Sequence, residues 1–362
     1  MAKETPNMPA PERPKQKLVV ASEFCTHAAG SDCMRCAYCC PKDAISVPEE
    51  AGAPTVDHSL CNGCGICFGI CDAFASTRMT MFDLHARIRR IAEGGQRAYL
   101  TCKENVFPGF EVDNHVVVLP CLSMMSPEMW TLILSEGIRV TIACDLKYCE
   151  GCDRGGELGG ELFSHAIALA EERTGEKVLF TFRIPEKQKI LDQYAQNETT
   201  ERRAMFEGFA ADAANIASGK RRLRNSSVLK DYYERKERQR AAMRLHLASE
   251  NPYKDFAPES GRRLMFPKQQ LVLETVDARP DLAPHIPVAL SETDLSLCTN
   301  AHDCVRSCPT GARFLKDNAL QLEPRLCVGC GICVDSCEEG ACSIEEATAE
   351  IYLKPEQAEN RE

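Results

Sequence analysis

Two runs of cysteine constrain this chain more than anything else in it. They are Cys61-Asn-Gly-Cys64-Gly-Ile-Cys67-Phe-Gly-Ile-Cys71 and Cys327-Val-Gly-Cys330-Gly-Ile-Cys333-Val-Asp-Ser-Cys337, both of the pattern Cys-x2-Cys-x2-Cys-x3-Cys. Each follows a cysteine-bearing stretch that ends in Cys-Pro: Cys25, Cys33, Cys36 and Cys40-Pro41 before the first run, Cys298, Cys304 and Cys308-Pro309 before the second. A motif that returns together with its upstream partner is an internal repeat. Gly63 and Gly65 let the backbone curl so that thiols two residues apart can converge, because glycine takes positive φ without a Cβ clash. A unit of about 60 residues built this way has little room for an apolar core. Whatever gathers the thiols is therefore expected to organise the fold.

The chain has 362 residues, 22 of them cysteine, and a net charge of −10. In a secreted protein so many cysteines would suggest disulfides. The first residues, Met-Ala-Lys-Glu-Thr-Pro-Asn-Met-Pro-Ala-Pro-Glu-Arg-Pro, carry no apolar signal core. The reading is a cytoplasmic protein whose thiols stay reduced and favour metal sites. No run of about 18 apolar residues is present to span a bilayer, and the acidic balance argues against a nucleic-acid partner.

Along the chain, residues 1–18 read as a flexible arm and 19–80 as a first α+β module with short strands around 17–21 and 44–54. From residue 95 to 185 the pattern changes. Arg97–Cys102, Val116–Leu119, Val140–Cys144 and Val178–Phe182 are apolar or β-branched runs, and the helix-length segments Pro127–Glu136 and Leu158–Thr174 lie between the later ones. Strands alternating with helices predict a parallel sheet with helices packed on it. Cys102, Cys121 and Cys144 fall at or just after predicted strand ends, with Cys149 and Cys152 in the loop after the third. Ligands of such sheets sit beyond the carboxyl ends of the strands. Residues 186–250 read as charged and helical, and 220–244 holds ten basic residues against three acidic ones. That segment is either a solvated face or a docking surface for an acidic partner. Residues 251–290 read as a Pro-rich connector with a strand at Gln270–Val276, 291–350 as a second module, and 351–362 as an acidic tail.

The repeated run resembles the bacterial two-cluster ferredoxins, in which three cysteines of the run hold one cubane and the fourth reaches the other. Carried over to these positions, the resemblance implies that Cys61, Cys64, Cys67 and Cys40 bind one [4Fe–4S] cluster, and that Cys33, Cys36, Cys71 and Cys25 bind another. Cys39 is a spare, as a free thiol or a substitute for Cys36 or Cys40. In the second module Cys327, Cys330, Cys333 and Cys308 form a third set. Cys298, Cys304 and Cys337 form an incomplete fourth with Ala301 in the gap, which implies a [3Fe–4S] cluster, a cubane completed by Cys342 or His302, or an empty site. Zinc is the competing metal for such thiolates.

The central stretch, Tyr99-Leu-Thr-Cys102, Leu119-Pro-Cys121, Ala143-Cys144-Asp145 and Tyr148-Cys149-Glu-Gly-Cys152, resembles the iron–sulfur delta subunit of methyl-viologen-reducing hydrogenase. That family implies a small α/β domain binding [2Fe–2S] through Cys102, Cys121, Cys144 and Cys149, with Cys152 as the alternate. It also implies electron flow from a hydrogenase or formate dehydrogenase to a flavin-containing subunit. Zinc at the same cysteines, or a scaffold of buried thiols, are the alternatives.

The expected fold class is thus α+β and α/β, with two dicluster ferredoxin-like modules flanking a small parallel-sheet α/β domain and a charged helical segment. The expected function is an iron–sulfur electron-transfer subunit of a cytoplasmic multisubunit oxidoreductase. Its partners would be a flavoprotein or catalytic subunit and a ferredoxin-like donor or acceptor, in a hetero-oligomer. The enzyme alternative is a thiol/disulfide reductase with the central cysteines as its active site, kept open by Cys149-x2-Cys152. A zinc-and-cysteine assembly scaffold with no redox turnover is a third reading. The sequence assigns no other catalytic residue; a phosphate at the Gly155-Gly156 helix start is a minor alternative.

Overall fold

The computed structural model describes residues 18–76, 79–187 and 263–353. The charged segment expected over 186–250, apart from its first two residues, lies outside the described residues, as do the first 17 residues of the chain and most of the acidic tail.

The sequence repeat is also a repeat in the fold. In the first copy β1 (Leu18–Val20) pairs antiparallel with β4 (Phe74–Ser76), and inside that pair β2 (Ile45–Ser46) meets β3 (Thr55–Val56). Two short helices, α1 (Arg35–Tyr38) and α2 (Ile66–Ile70), carry Cys36 and Cys67. Gly65 opens α2 at a φ of 85°, a value that L side chains rarely adopt. Gly69, inside α2, lies so close to the Ser123 carbonyl oxygen that a Cβ there would collide with it.

Between the copies stands a four-stranded parallel sheet. Its strands are β5 (Ala98–Cys102), β6 (Val116–Leu119), β7 (Val140–Ala143) and β8 (Leu179–Thr181), in the order β6-β5-β7-β8. The register runs Tyr99↔Val116, Tyr99↔Thr141 and Ile142↔Phe180. Every residue of β7 is buried, as expected of a strand covered on both faces. Three helices cover the sheet. Helix α3 (Met81–Glu93) starts at a capping box in which Thr80 and Asp83 exchange side-chain-to-backbone hydrogen bonds. It buries Met81, Leu84, His85 and Ile88, the i, i+3, i+4, i+7 stripe of an amphipathic helix. Helix α4 (Pro127–Ser135) has Pro at its first turn and Ser126 as N-cap, accepting from the Met129 N–H. It is buried from Met129 to Ser135 because it sits between α5 (Gly156–Thr174) and α6 (Pro267–Ala278), with Trp130 tilted against Phe163 of α5.

Helix α6 replaces the strand expected at Gln270–Val276. The run Leu271-Val-Leu-Glu-Thr-Val reads as β-like, but tertiary context overrides that propensity. Pro267 starts the helix, and the Asp72 carboxylate accepts from the Lys268 N–H in its first turn at 2.9 Å.

In the second copy β9 (Pro287–Thr293) pairs antiparallel along its whole length with β12 (Cys342–Thr348). The hairpin β10 (Arg313–Lys316) and β11 (Ala319–Leu322) turns through Asp317 and Asn318, both at positive φ, the two-residue turn that suits strand twist. Helices α7 (Asp303–Arg306) and α8 (Ile332–Asp335) carry Cys304 and Cys333. The fold is one of mixed α/β sheets. The expectation that its two copies are dicluster ferredoxin-like modules is corrected: among the described residues no group of three or more His, Cys, Asp or Glu could hold a metal ion.

Candidate functional site: a paired thiol at the edge of the parallel sheet

With the order β6-β5-β7-β8, the first strand of the sheet lies inside it, and the chain leaves to one side for β6 and to the other for β7. The crevice where the direction reverses, between the carboxyl ends of β5 and β7, is where open α/β sheets place ligands. Cys102 is the last residue of β5 and Cys144 follows the last residue of β7.

The backbone fixes the two sulfurs in place. After Cys102 the chain makes a 3-10 turn, Lys103–Asn105, that aims the N–H groups of Glu104 and Asn105 at the Cys102 sulfur. Asn105 Nδ2 donates to the Ala143 carbonyl at 2.9 Å, and Thr101 Oγ1 donates to the same oxygen at 2.7 Å. Both bonds tie the end of β5 to the end of β7. Cys102 and Cys144 share a side-chain hydrogen bond. That bond above all, with the two backbone N–H groups and against the effect of burial, holds the Cys102 thiol below its ordinary value. The same bond, then burial, drives Cys144 far up.

The other three cysteines of the sheet edge surround this pair. Cys121, just beyond β6, lies 3.0 Å from Ser123 Oγ, and burial pushes its thiol up. Gly155 is required there: a Cβ would stand 2.9 Å from the Cys121 sulfur. Cys149 is pushed up to about 11 by burial and by the neighbouring sulfurs of Cys121 and Cys102. Cys152 accepts from the Arg154 N–H at 3.4 Å. Arg154 also pairs with Glu104 at 2.7 Å and donates to the Asn62 carbonyl, locking the loop after β7 to the first cysteine run.

The remaining predicted residues are brought into electrostatic reach of one another in sets. Cys36 faces Cys71, Cys25 and Cys33. Cys64 and Cys67 face Cys61, with Cys40 beside Cys64 and Cys39 beside Cys67. Cys330 faces Cys308, Cys333 and Cys327. Cys342 faces Cys304, Cys337 and Cys333. Cys298 is held by Asn300 instead, and His302 is the left-handed residue before α7. Burial dominates the titration of these thiols: Cys36, Cys39 and Cys342 are pushed up to about 12, Cys64 and Cys330 to about 11, and Cys67 higher still.

Neighbourhood is not ligation. Many of the sulfurs have their own partner: the Cys39 S–H donates to the Cys36 carbonyl, Cys40 accepts from the Ala44 N–H, Cys337 accepts from the Ala341 N–H, and Cys333 lies 2.9 Å from Ser291 Oγ. Among the described residues no group of three or more His, Cys, Asp or Glu could hold a metal ion, and every cysteine is free of a disulfide. The expected [4Fe–4S], [3Fe–4S] and [2Fe–2S] clusters are corrected on that finding. So are the electron-relay function, the disulfide-reductase alternative and the two family resemblances behind them. No known protein family, curated protein or solved structure matches the chain.

Sequence reading missed the partnership of Cys102 with Cys144 and the bracing by Thr101, Asn105 and Ser123. The available signal was a strand-end cysteine followed within three residues by Asn, a residue type that hydrogen-bonds local backbone.

Proposed function

We propose that Cys102 is a thiolate nucleophile that takes up a small electrophilic group in the crevice between β5 and β7. One observation carries the reading: Thr101 and Asn105 both donate to the Ala143 carbonyl and so hold together the strand ends that carry Cys102 and Cys144, at the switch point of a parallel sheet. A thiolate, not a thiol, is the attacking form. In the step itself the sulfur lone pair forms a bond to the electrophilic carbon, and the leaving group departs with the bonding pair. Cys144 holds the nearest proton. A single nucleophile suffices and no disulfide is formed.

Phe107, Leu146 and Tyr148 are exposed on the loops that follow β5 and β7, and we place the expected partner subunit of a hetero-oligomer on that rim. No helix among the described residues is long and apolar enough to cross a membrane. Free cysteines throughout support placement in a reducing compartment, the cytoplasm.

The test is alkylation by substoichiometric iodoacetamide at pH 7, followed by peptide mapping. Cys102 is expected to be carboxamidomethylated first, ahead of the thiols that burial keeps protonated. Preferential labelling at any other cysteine refutes the assignment.

A further inference from the structure

The turn that follows β5 sets a negative charge beside the sulfur it supports. Lys103–Asn105 presents backbone N–H groups to Cys102, and its middle residue is Glu104. A carboxylate next to a thiolate repels it, and Glu104 acts on Cys102 in that sense. A crevice that keeps a thiolate has to answer that charge.

Arg154 answers it. Its Nε donates to Glu104 Oε1 at 2.7 Å, and its Nη1 donates to the Asn62 carbonyl at 2.9 Å. The planar fork reaches two acceptors in two directions at once. Asn62 returns the contact: its Nδ2 donates to the Arg154 carbonyl at 2.8 Å and to the Asp153 carbonyl at 3.2 Å. Its own Oδ1 accepts from the Cys64 N–H at 3.1 Å, which fixes the Asn62 side chain within the first cysteine run. Arg154 is 21% exposed against 46% for Glu104. A surface ion pair that must order both of its side chains contributes little. Here the cation is already held by backbone, and the pair joins the turn after β5 to the loop after β7, the two segments that border the crevice.

We infer that Arg154 is a positioning residue for the Cys102 nucleophile: held by Asn62 of the first cysteine run, it neutralises the Glu104 carboxylate beside the reacting sulfur. The first repeat thereby takes part in a site built on the central sheet. The inference rests on the reading of Cys102 as the nucleophile. Arg154 acts through Glu104 and not on the electrophile.

The rate at which iodoacetamide, a neutral probe, carboxamidomethylates Cys102 in the full chain at pH 6 decides it, read by peptide mapping. That pH lies below the value of about 7 at which the Cys102–Cys144 pair gives up its first proton, so a change in the thiolate population shows in the rate. Arg154→Met is expected to slow labelling about two- to threefold. Glu104→Gln is expected to speed it by as much, and the double variant to return to the parent rate. The range is that of a partly exposed ion pair, reduced because a more acidic thiol is a weaker nucleophile. A pair that only braced the loops would shift both single variants the same way; that pattern overturns the inference. So do unchanged rates in both, or a double variant no faster than Arg154→Met alone. Should Arg154→Met lose its fold, Asn62→Ala takes its place: slower labelling that Glu104→Gln reverses is expected, and an unchanged rate overturns the inference. Labelling of the parent first at another cysteine refutes the nucleophile reading itself, and this inference with it.

Discussion

At the scale of single residues, the chemistry rests on which of two neighbouring sulfurs keeps a proton. The Cys102–Cys144 pair gives up its first proton at about 7, against 9.0 for an ordinary thiol. The sign is that of a depressed acid: the thiolate form dominates above the lowered value and is lost as pH falls through it. Cys144→Ala removes the S–H donor and is expected to slow Cys102 alkylation at pH 7 by about ten- to a hundredfold. At pH 10 the rate should match that of the parent, and a rate–pH profile measures both. Asn105→Ala leaves the Ala143 carbonyl to Thr101 alone and is expected to cost about 1 kcal/mol in urea unfolding. The sequence placed these cysteines at one sheet edge, but it did not single out Cys102 and Cys144 as a bonded pair among the five. Cys102 and Cys144 are separated along the chain by β6 and α4, and their meeting depends on strand order. Nor does cysteine spacing reveal that Cys40, Cys333 and Cys337 each take a backbone or serine partner.

Among the elements, the strands of the parallel sheet were legible because β-branched residues cluster in them and helix-length segments follow, whereas α6 was not. Its Leu271, Leu273 and Thr275 alternate like a strand, and only packing against α4 and the Asp72 contact decide for helix. Close approach of elements left a different trace. Gly69 of α2 lies against the Ser123 carbonyl, so Gly69→Ala must push α2 off the loop that carries Cys121. The expected loss is about 1–3 kcal/mol, the range for overpacking, read as a lower denaturation midpoint with unchanged slope. Trp130, wholly buried and tilted against Phe163 of α5, gives the opposite kind of defect. Trp130→Ala is expected to cost about 3–5 kcal/mol by leaving a cavity.

For the molecule as a whole, the many buried thiols set a limit at high pH. Cys36, Cys39 and Cys64 are raised to about 12, 12 and 11. A raised acid stays protonated in the folded chain but ionises in the unfolded one. Stability is therefore full below 9.0, the unfolded value, and falls as pH climbs toward the folded values. Urea midpoints are expected to rise between pH 7 and 9, where the lowered Cys102 ionises in the fold first, and to drop steadily from pH 9 to 11; a flat profile above pH 9 would show that the buried thiols ionise freely in the fold. The repeat has an effect on the same scale. In each copy the first strand is hydrogen-bonded to the last, β1 to β4 and β9 to β12, so each cysteine-rich unit begins and ends at one place. A unit closed in this manner can be doubled, or have a parallel sheet spliced in beside it, without re-threading the chain inside.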